Sequence, residues 1–184
     1  MKKFLAMALV ALAALTGSAQ NNLYVGGEVG FMHDGGKRTN EFSILPEIGY
    51  NLNSKFAIGT VIGWQYTHFN GRDLSTNLFR FNPYVRYTFF RSENNLVNLF
   101  VDGTVGVGLG WTSMDDDDSD TACVWEIGLK PGVAINLTDN FSVQAHIGML
   151  GYQGVNDAAK PAYNSKGGLN LSGNDLSIGF YYHF

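Results

Sequence analysis

The 184-residue chain carries 12 Lys and Arg against 16 Asp and Glu, a formal net charge of −4, with charged residues at 15% and one cysteine. Ordinary soluble domains carry roughly 25% charged residues, so a conventional water-facing surface is short of material here. The acidic balance excludes the basic footprint of a nucleic-acid binder, and a single cysteine, Cys123, excludes an internal disulfide. An unpaired buried thiol is the expected state of Cys123.

Lys2 and Lys3 precede an apolar run from Phe4 to Leu15 and the small residues Thr16-Gly17-Ser18-Ala19. That order is a secretory signal peptide, and its apolar run is too short to span a bilayer. Residues 1–20 are therefore expected to be removed, leaving one domain over 21–184. No cysteine follows the apolar run, so no lipoprotein anchor is expected. Without Lys2 and Lys3 the net charge falls from −4 to −6. No later stretch is long and apolar enough for a membrane helix.

From Leu23 onward the apolar residues fall at every second position, the period of a strand with one greasy face. One unit reads Leu23-Val25-Gly27, then Phe56-Ile58-Thr60, Leu99-Val101-Gly103 and Phe141-Val143-Ala145. A second begins on proline and reads Pro46-Ile48-Tyr50-Leu52, Pro83-Val85-Tyr87-Phe89 and Pro131-Val133-Ile135-Leu137. Its fourth copy, Ile178-Phe180-Tyr182-Phe184, ends the chain on an aromatic residue. Four copies of each unit predict eight strands. About ten residues at roughly 3.3 Å each, tilted, cover the roughly 25 Å apolar band of an outer membrane. A chain that enters lipid without a spanning helix must close into a barrel, because its backbone groups need internal partners. The fold class is therefore all-β, an eight-stranded antiparallel up-and-down transmembrane β-barrel.

Connections alternate in length, as this topology requires. Asn53-Ser54-Lys55 and Thr138-Asp139-Asn140 are tight turns, and Arg91 to Asn95 is a longer one. Opposite them lie polar connections at about His33–Asn40, His68–Asn77, Thr112–Ala122 and Gln153–Asn174. Short turns on the inner side put both mature termini in the periplasm. Pro46, Pro83 and Pro131 fall mid-strand, where the missing N–H interrupts a ladder; their common register predicts a shared bulge.

One parity carries Phe31, Phe42, Trp64, Tyr66, Phe79, Phe81, Trp111 and Trp125 toward the loops. It carries Tyr50, Phe56, Tyr87, Phe89, Phe141, Tyr182 and Phe184 toward the turns. Two aromatic belts flanking Val, Ile and Leu mark a membrane-facing surface. The other parity carries many glycines, among them Gly26, Gly49, Gly106 and Gly148. Interleaved are Glu28, Glu47, Arg80, Arg86, Asp102, Glu126, Lys130 and His146, which form a luminal charge network. A narrow lumen needs small residues and holds charges only in pairs. Arg86 and Asp102 stand at equal depth and are expected to pair. Glu28 and Glu47 need a cation, with Lys130, Arg80 and His146 as the candidates. A soluble barrel with the greasy face inside would leave mostly glycine outside, so that rival is set aside.

The unit Leu45-Pro46-Glu47-Ile48-Gly49-Tyr50-Asn51-Leu52, with its turn and Phe56-Ala57-Ile58-Gly59, resembles the repeating hairpin of the small outer-membrane β-barrel domain family, of OmpA and OmpX type. The ending Tyr181-Tyr182-His183-Phe184 resembles the C-terminal signal that the barrel assembly machinery of Gram-negative bacteria reads. By that resemblance Phe180, Tyr182 and Phe184 are the assembly signal. The family includes anchors, adhesins, resistance factors and a few enzymes, so the resemblance implies fold and location before activity. No cell-wall-binding domain is expected after the barrel.

Asp115-Asp116-Asp117-Asp118 and Asp120 are the most conspicuous polar feature. Asp116, Asp118 and Asp120 have the odd spacing of a calcium loop, but Thr121 stands where the turn glycine belongs and Ile127 where the twelfth-position glutamate belongs. A solvated acidic loop is the expectation, with those three as weak metal candidates. Gly106-Val107-Gly108-Leu109-Gly110 opens no helix and reads as strand, not as a phosphate loop. A Ser-His-carboxylate set is imaginable only in Ser75, His68 and Asp73, and nothing selects it. The expectation is a non-enzymatic, porin-like cell-envelope barrel without a cofactor, in a structural or surface-interaction role. Its partners are outer-membrane lipid, the assembly machinery and an extracellular ligand on loops 112–122 and 153–174. A narrow pore for ions or small solutes is the alternative, and a lipid-modifying or proteolytic enzyme the third reading.

Overall fold

A computed structural model describes residues 22–34, 39–69, 74–114, 117–160, 163–170 and 176–184. The signal peptide, Asp73, Asp115 and Asp116 lie outside the described residues.

The period-2 pattern becomes strands β1 (Leu23–Asp34), β2 (Thr39–Asn51), β3 (Phe56–Phe69), β4 (Leu74–Arg91), β5 (Val97–Met114) and β6 (Asp117–Asn136). The seventh wall strand comes in two pieces, β7 (Phe141–Ile147) and β8 (Met149–Val155). A short strand β9 (Lys166–Asn170) precedes the closing strand β10 (Leu176–His183). Every wall pairing is antiparallel. β1 to β6 pair in sequence, β6 pairs β7, β7 pairs β10, and β10 returns to β1, which closes an eight-strand ring.

Closure leaves the greasy parity outside. Phe79, Phe89, Ile62, Val105 and Phe180 are all more than half exposed. Outer aromatics meet across strands, as Phe79 with Trp111 (6.2 Å) and Trp125 with Tyr152 (5.2 Å) toward the loops. Phe56 with Tyr87 (5.1 Å) and Phe141 with Tyr182 (5.2 Å) do the same toward the turns. The tight turns form as expected: Asn53 Oδ1 accepts from the N–H groups of Lys55 and Phe56, and Thr138 Oγ1 from that of Phe141. The Phe184 N–H reaches Leu23 O at 3.0 Å, so both ends of the described chain lie at the turn end.

Four expectations are corrected. The segment 112–122 is not a loop: β5 runs to Met114 and β6 starts at Asp117, so Asp117 to Asp120 continue a paired ribbon. A strand of 18 or 20 residues far outruns the roughly 9–11 needed to cross, so this hairpin projects beyond the membrane. The described residues of the segment 153–174 are likewise structured, holding the end of β8, a 3-10 turn at Asp157–Ala159 and β9. The prolines make no shared bulge: pairing is skipped beside Pro46 and Pro83 and resumes in the same register, and only beside Pro131 does it resume one residue out. Pointing outward, they lose ladder bonds on one side only. Lastly, Cys123 is half-buried on the outer parity, paired with Leu109, rather than enclosed.

Register does shift at Gly148, between β7 and β8. Gly132 pairs His146, yet Leu129 pairs Leu150, so one extra residue sits in the seventh strand. Gly148 has φ +67, a conformation open to glycine and costly for other residues. Beyond it the faces exchange: Ser142, Gln144 and His146 point inward on β7, Met149 and Gln153 on β8.

Candidate functional site: the barrel lumen

The inward parity of eight strands converges on a narrow space, and the side chains there divide into three tiers. Nearest the turns, Tyr24, Phe100 and Tyr181 are each 1% exposed. Tyr24 lies flat over Gly49, where a Cβ would stand 2.1 Å from its ring. Only a glycine leaves room for that ring.

Arg86 fills the centre of this tier. Its Nε and Nη2 donate to the two oxygens of Asp102 at 2.7 and 2.8 Å, and Nη1 donates to Gln144 at 2.6 Å. Nη2 stands 3.7 Å from Glu47. The guanidinium carbon lies 3.9 Å from the Phe100 ring centre, so its face is covered as well. Glu47 accepts phenol protons from Tyr84 (2.5 Å) and Tyr181 (2.8 Å). Tyr84 has spent its only proton on Glu47, so Tyr24 donates to Tyr84 across 2.6 Å. His146 extends the cluster: Nε2 faces Asp102 at 2.9 Å and Nδ1 faces Glu28 at 3.3 Å, while Ser177 donates to Glu28 at 3.0 Å. Bonds from both ring nitrogens to carboxylates require the doubly protonated ring.

A second cluster lies toward the loops. Glu126 accepts from Lys130 at 2.6 Å and from Asn82 at 3.1 Å, with Arg80 3.8 Å away. Arg80 also donates to Gln65 at 2.6 Å. Lys130 and Arg80 thus serve Glu126, and the cations that meet Glu28 and Glu47 are His146 and Arg86. The structure brings Glu28, Glu47, Arg86, Asp102 and His146 into one connected group, and Arg80, Glu126 and Lys130 into another.

The third tier stands at the mouth, and sequence reasoning missed it. The 3-10 turn folds back so that Ala159, 0% exposed, packs on Leu78, Ala122 and Val124. Asn156 pins it: its Oδ1 accepts from the N–H groups of Cys123 and Ala159, and its Nδ2 donates to Thr121 O. Asn before a short helical turn is an N-cap signal, the one cue available in the sequence. Tyr163 meets Thr67 at 3.0 Å, and burial pushes its phenol above the ordinary range. The exposed Asp157 carboxyl is held low by its bond to Lys160.

Between lid and floor lies a cavity of about 620 Å³. Among the described residues no three His, Cys, Asp or Glu side chains are placed to hold a metal ion. Of the weak metal candidates, Asp118 and Asp120 fall on β6 and Asp116 outside the described residues. His68 stands opposite Ser75 in the β3–β4 register. On the outer face, Phe180 is 67% and Tyr182 37% exposed, and Phe184 meets Tyr182 edge to face at 5.0 Å.

A closed antiparallel ring that is greasy outside and charge-paired within is a membrane barrel of the outer-membrane type. The chain belongs to the outer membrane protein β-barrel domain family, which it matches over residues 3–184, and its place is the outer membrane. Among solved structures, the N-terminal β-barrel domain of Pseudomonas aeruginosa OprF is similar at a TM-score of 0.51 and 14% identity, covering 90% of this chain and 98% of that one. The Yersinia pestis outer membrane protein Ail, determined in a phospholipid bilayer nanodisc, gives 0.50 at 15% identity, covering 90% and 100%. At such identities they share the fold alone. No curated protein sequence matches the chain.

Proposed function

We propose that this barrel is a non-enzymatic surface module, anchored in the outer membrane with its turns and both mature termini in the periplasm. Specific contacts are made by the projecting β5–β6 hairpin and by the 153–174 segment. The observation that carries this reading is the floor of the lumen. Arg86, Asp102, Glu47 and three tyrosines are knitted across it, which opposes a solute path and leaves the outer hairpins as the working surface. Phe180, Tyr182 and Phe184, aligned on the lipid face, suit a signal read by the assembly machinery.

The test has two arms. The folded barrel in a planar bilayer passes no steady current; a reproducible open current overturns the plugged reading and promotes the pore. Screened against surface glycans, lipids and host-type proteins, the barrel binds a partner, and replacement of 112–122 or 153–174 removes that binding. A partner retained by both replacements overturns the hairpin assignment.

A further inference from the structure

The ring closes where β1 meets β10, with Tyr24 opposite His183 and Glu28 opposite Gly179. Luminal side chains reinforce that join by reaching past their neighbours. Tyr181 of β10 steps over β1 to donate to Glu47 of β2 at 2.8 Å. Its ring lies across Gly26, where a Cβ would stand 2.3 Å away. His146 of β7 steps over β10 to Glu28 of β1 at 3.3 Å, and Ser177 of β10 donates to the same carboxylate at 3.0 Å. Tyr181 and Ser177 act here as neutral donors. Of the three, His146 alone spans the join with a charge, and an imidazolium is the charge that a modest change of pH removes.

The groups that face His146 come from all the strands packed around it. Glu28 approaches from β1 and Asp102 from β5, with the Phe100 ring perpendicular to the imidazole at 5.3 Å. Arg86 of β4 is the cation that opposes the imidazolium, and it is itself held by Asp102, Gln144 and Glu47. The ladder partners of His146 are Ser177 on β10 and Gly132 on β6, neither of them charged. A Cβ on Gly132 would stand 2.4 Å from the Phe100 ring, so the glycine is what lets Phe100 lie there. The two carboxylates differ in what else holds them. Asp102 takes two bonds from Arg86. Glu28 has His146 as its one ion-pair partner among the described residues, while Lys130, which donates to Glu126, acts on it without contact. Glu28 therefore depends on the proton at Nδ1.

We propose that the His146 imidazolium is a pH-sensitive pin of ring closure: with its proton it draws the first strand toward the seventh, and without it the contact repels. A neutral imidazole has one N–H and one lone pair. The shorter contact, from Nε2 to Asp102 at 2.9 Å, keeps the remaining proton, and Nδ1 then sets its lone pair against Glu28. Glu28 is left with Ser177 as its donor in contact, so β1 is released from β7. Arg86 still holds Asp102, so the floor stays in place. His146 and Glu28 both line the cavity, and the proton leaves on that side. The pin goes beyond the surface role and stands without it.

The full-length mature barrel, carrying isotope-labelled histidine, is folded in phosphatidylcholine vesicles and nanodiscs. At about pH 7, nitrogen NMR finds both ring nitrogens of His146 protonated, a signal assigned by its loss in His146→Gln. The urea midpoint of the parent falls by about 1 M between about pH 7 and about pH 10, in step with loss of the second ring N–H. His146→Gln is already weakened at neutral pH and lacks that step. Glu28→Gln removes the charge that needs the pin, because its amide donates to the bare Nδ1. It lacks the step too, and in alkali its midpoint lies above the parent's, a reversal that loss of packing alone does not produce. The NMR signal of the parent and the Glu28→Gln profile decide the matter if His146→Gln fails the heat-shift test for folding. One protonated ring nitrogen at neutral pH, parallel profiles for parent and Glu28→Gln, or a Glu28→Gln midpoint below the parent's at every pH overturns the proposal.

Discussion

Replacing Arg86 by alanine tests whether the floor is a dry, charge-paired plug. The residue is 6% exposed and holds Asp102 by two short bonds and Gln144 by a third, with Phe100 against its face. Truncation leaves Asp102 with His146 as its remaining partner and Glu47 with two phenols. Removing one member of a buried pair costs about 3–5 kcal/mol. With a urea slope of about 2 kcal/mol per molar, the unfolding midpoint falls by about 2 M. Titration in phosphatidylcholine vesicles, followed by tryptophan emission and by mobility with and without boiling, reads that shift. The double variant Arg86→Met with Asp102→Leu removes both charges and recovers much of the loss, since apolar replacements of a buried pair are often neutral. A fall under about 0.5 M for Arg86→Ala, about 1 kcal/mol at that slope, means that water already reaches the site and refutes the argument.

Two further outcomes follow from the end of the chain and the acidic run. Deleting Phe184 slows insertion into vesicles far more than Tyr181→Ala, because Phe184 belongs to the lipid face and Tyr181 to the lumen; Tyr181→Phe instead lowers stability by about 1–3 kcal/mol by taking a donor from Glu47. Equal insertion half-times for the two changes would argue against that division of labour. Replacing Asp115–Asp118 with serine leaves the urea midpoint unchanged, as expected beyond the membrane. Calorimetry with calcium decides whether the run is a metal site: heat in the parent that the variant lacks establishes one, and no heat leaves a solvated ribbon tip.

The wall strands were legible because lipid outside and a tight lumen inside impose opposite chemistries on alternate residues. Arg86 and Asp102 could be matched by depth alone, since Tyr87 pairs Val101 on either side of a turn whose irregularity, at Thr88–Phe90, lies below them. Other features leave no such trace. Asp117 to Asp120 carry no apolar face, so nothing in their pattern separates a projecting ribbon from a loop. Lys166-Gly167-Gly168-Leu169-Asn170 reads as a turn because two glycines lower strand propensity, and only pairing with β8 makes it a strand. The lid was hidden for a different reason: Ala159 is buried and Tyr163 half-buried by a tertiary fold-back, which no local period encodes. The partnering of Glu28 with His146 depends on ring closure between the first strand and the last two.

The extra residue at Gly148 acts like a change of reading frame in the seventh strand. Everything after it is addressed one step out of phase with everything before. Straightening the strand with all its residues kept would restore a tidy alternation on paper while turning Met149–Val155 inside out. Leu150 and Tyr152, now 47% and 44% exposed to the bilayer side, would be driven into the lumen, and Gln153 out of it. The glycine that lets the chain bulge therefore decides which side of the wall the rest of the seventh strand presents.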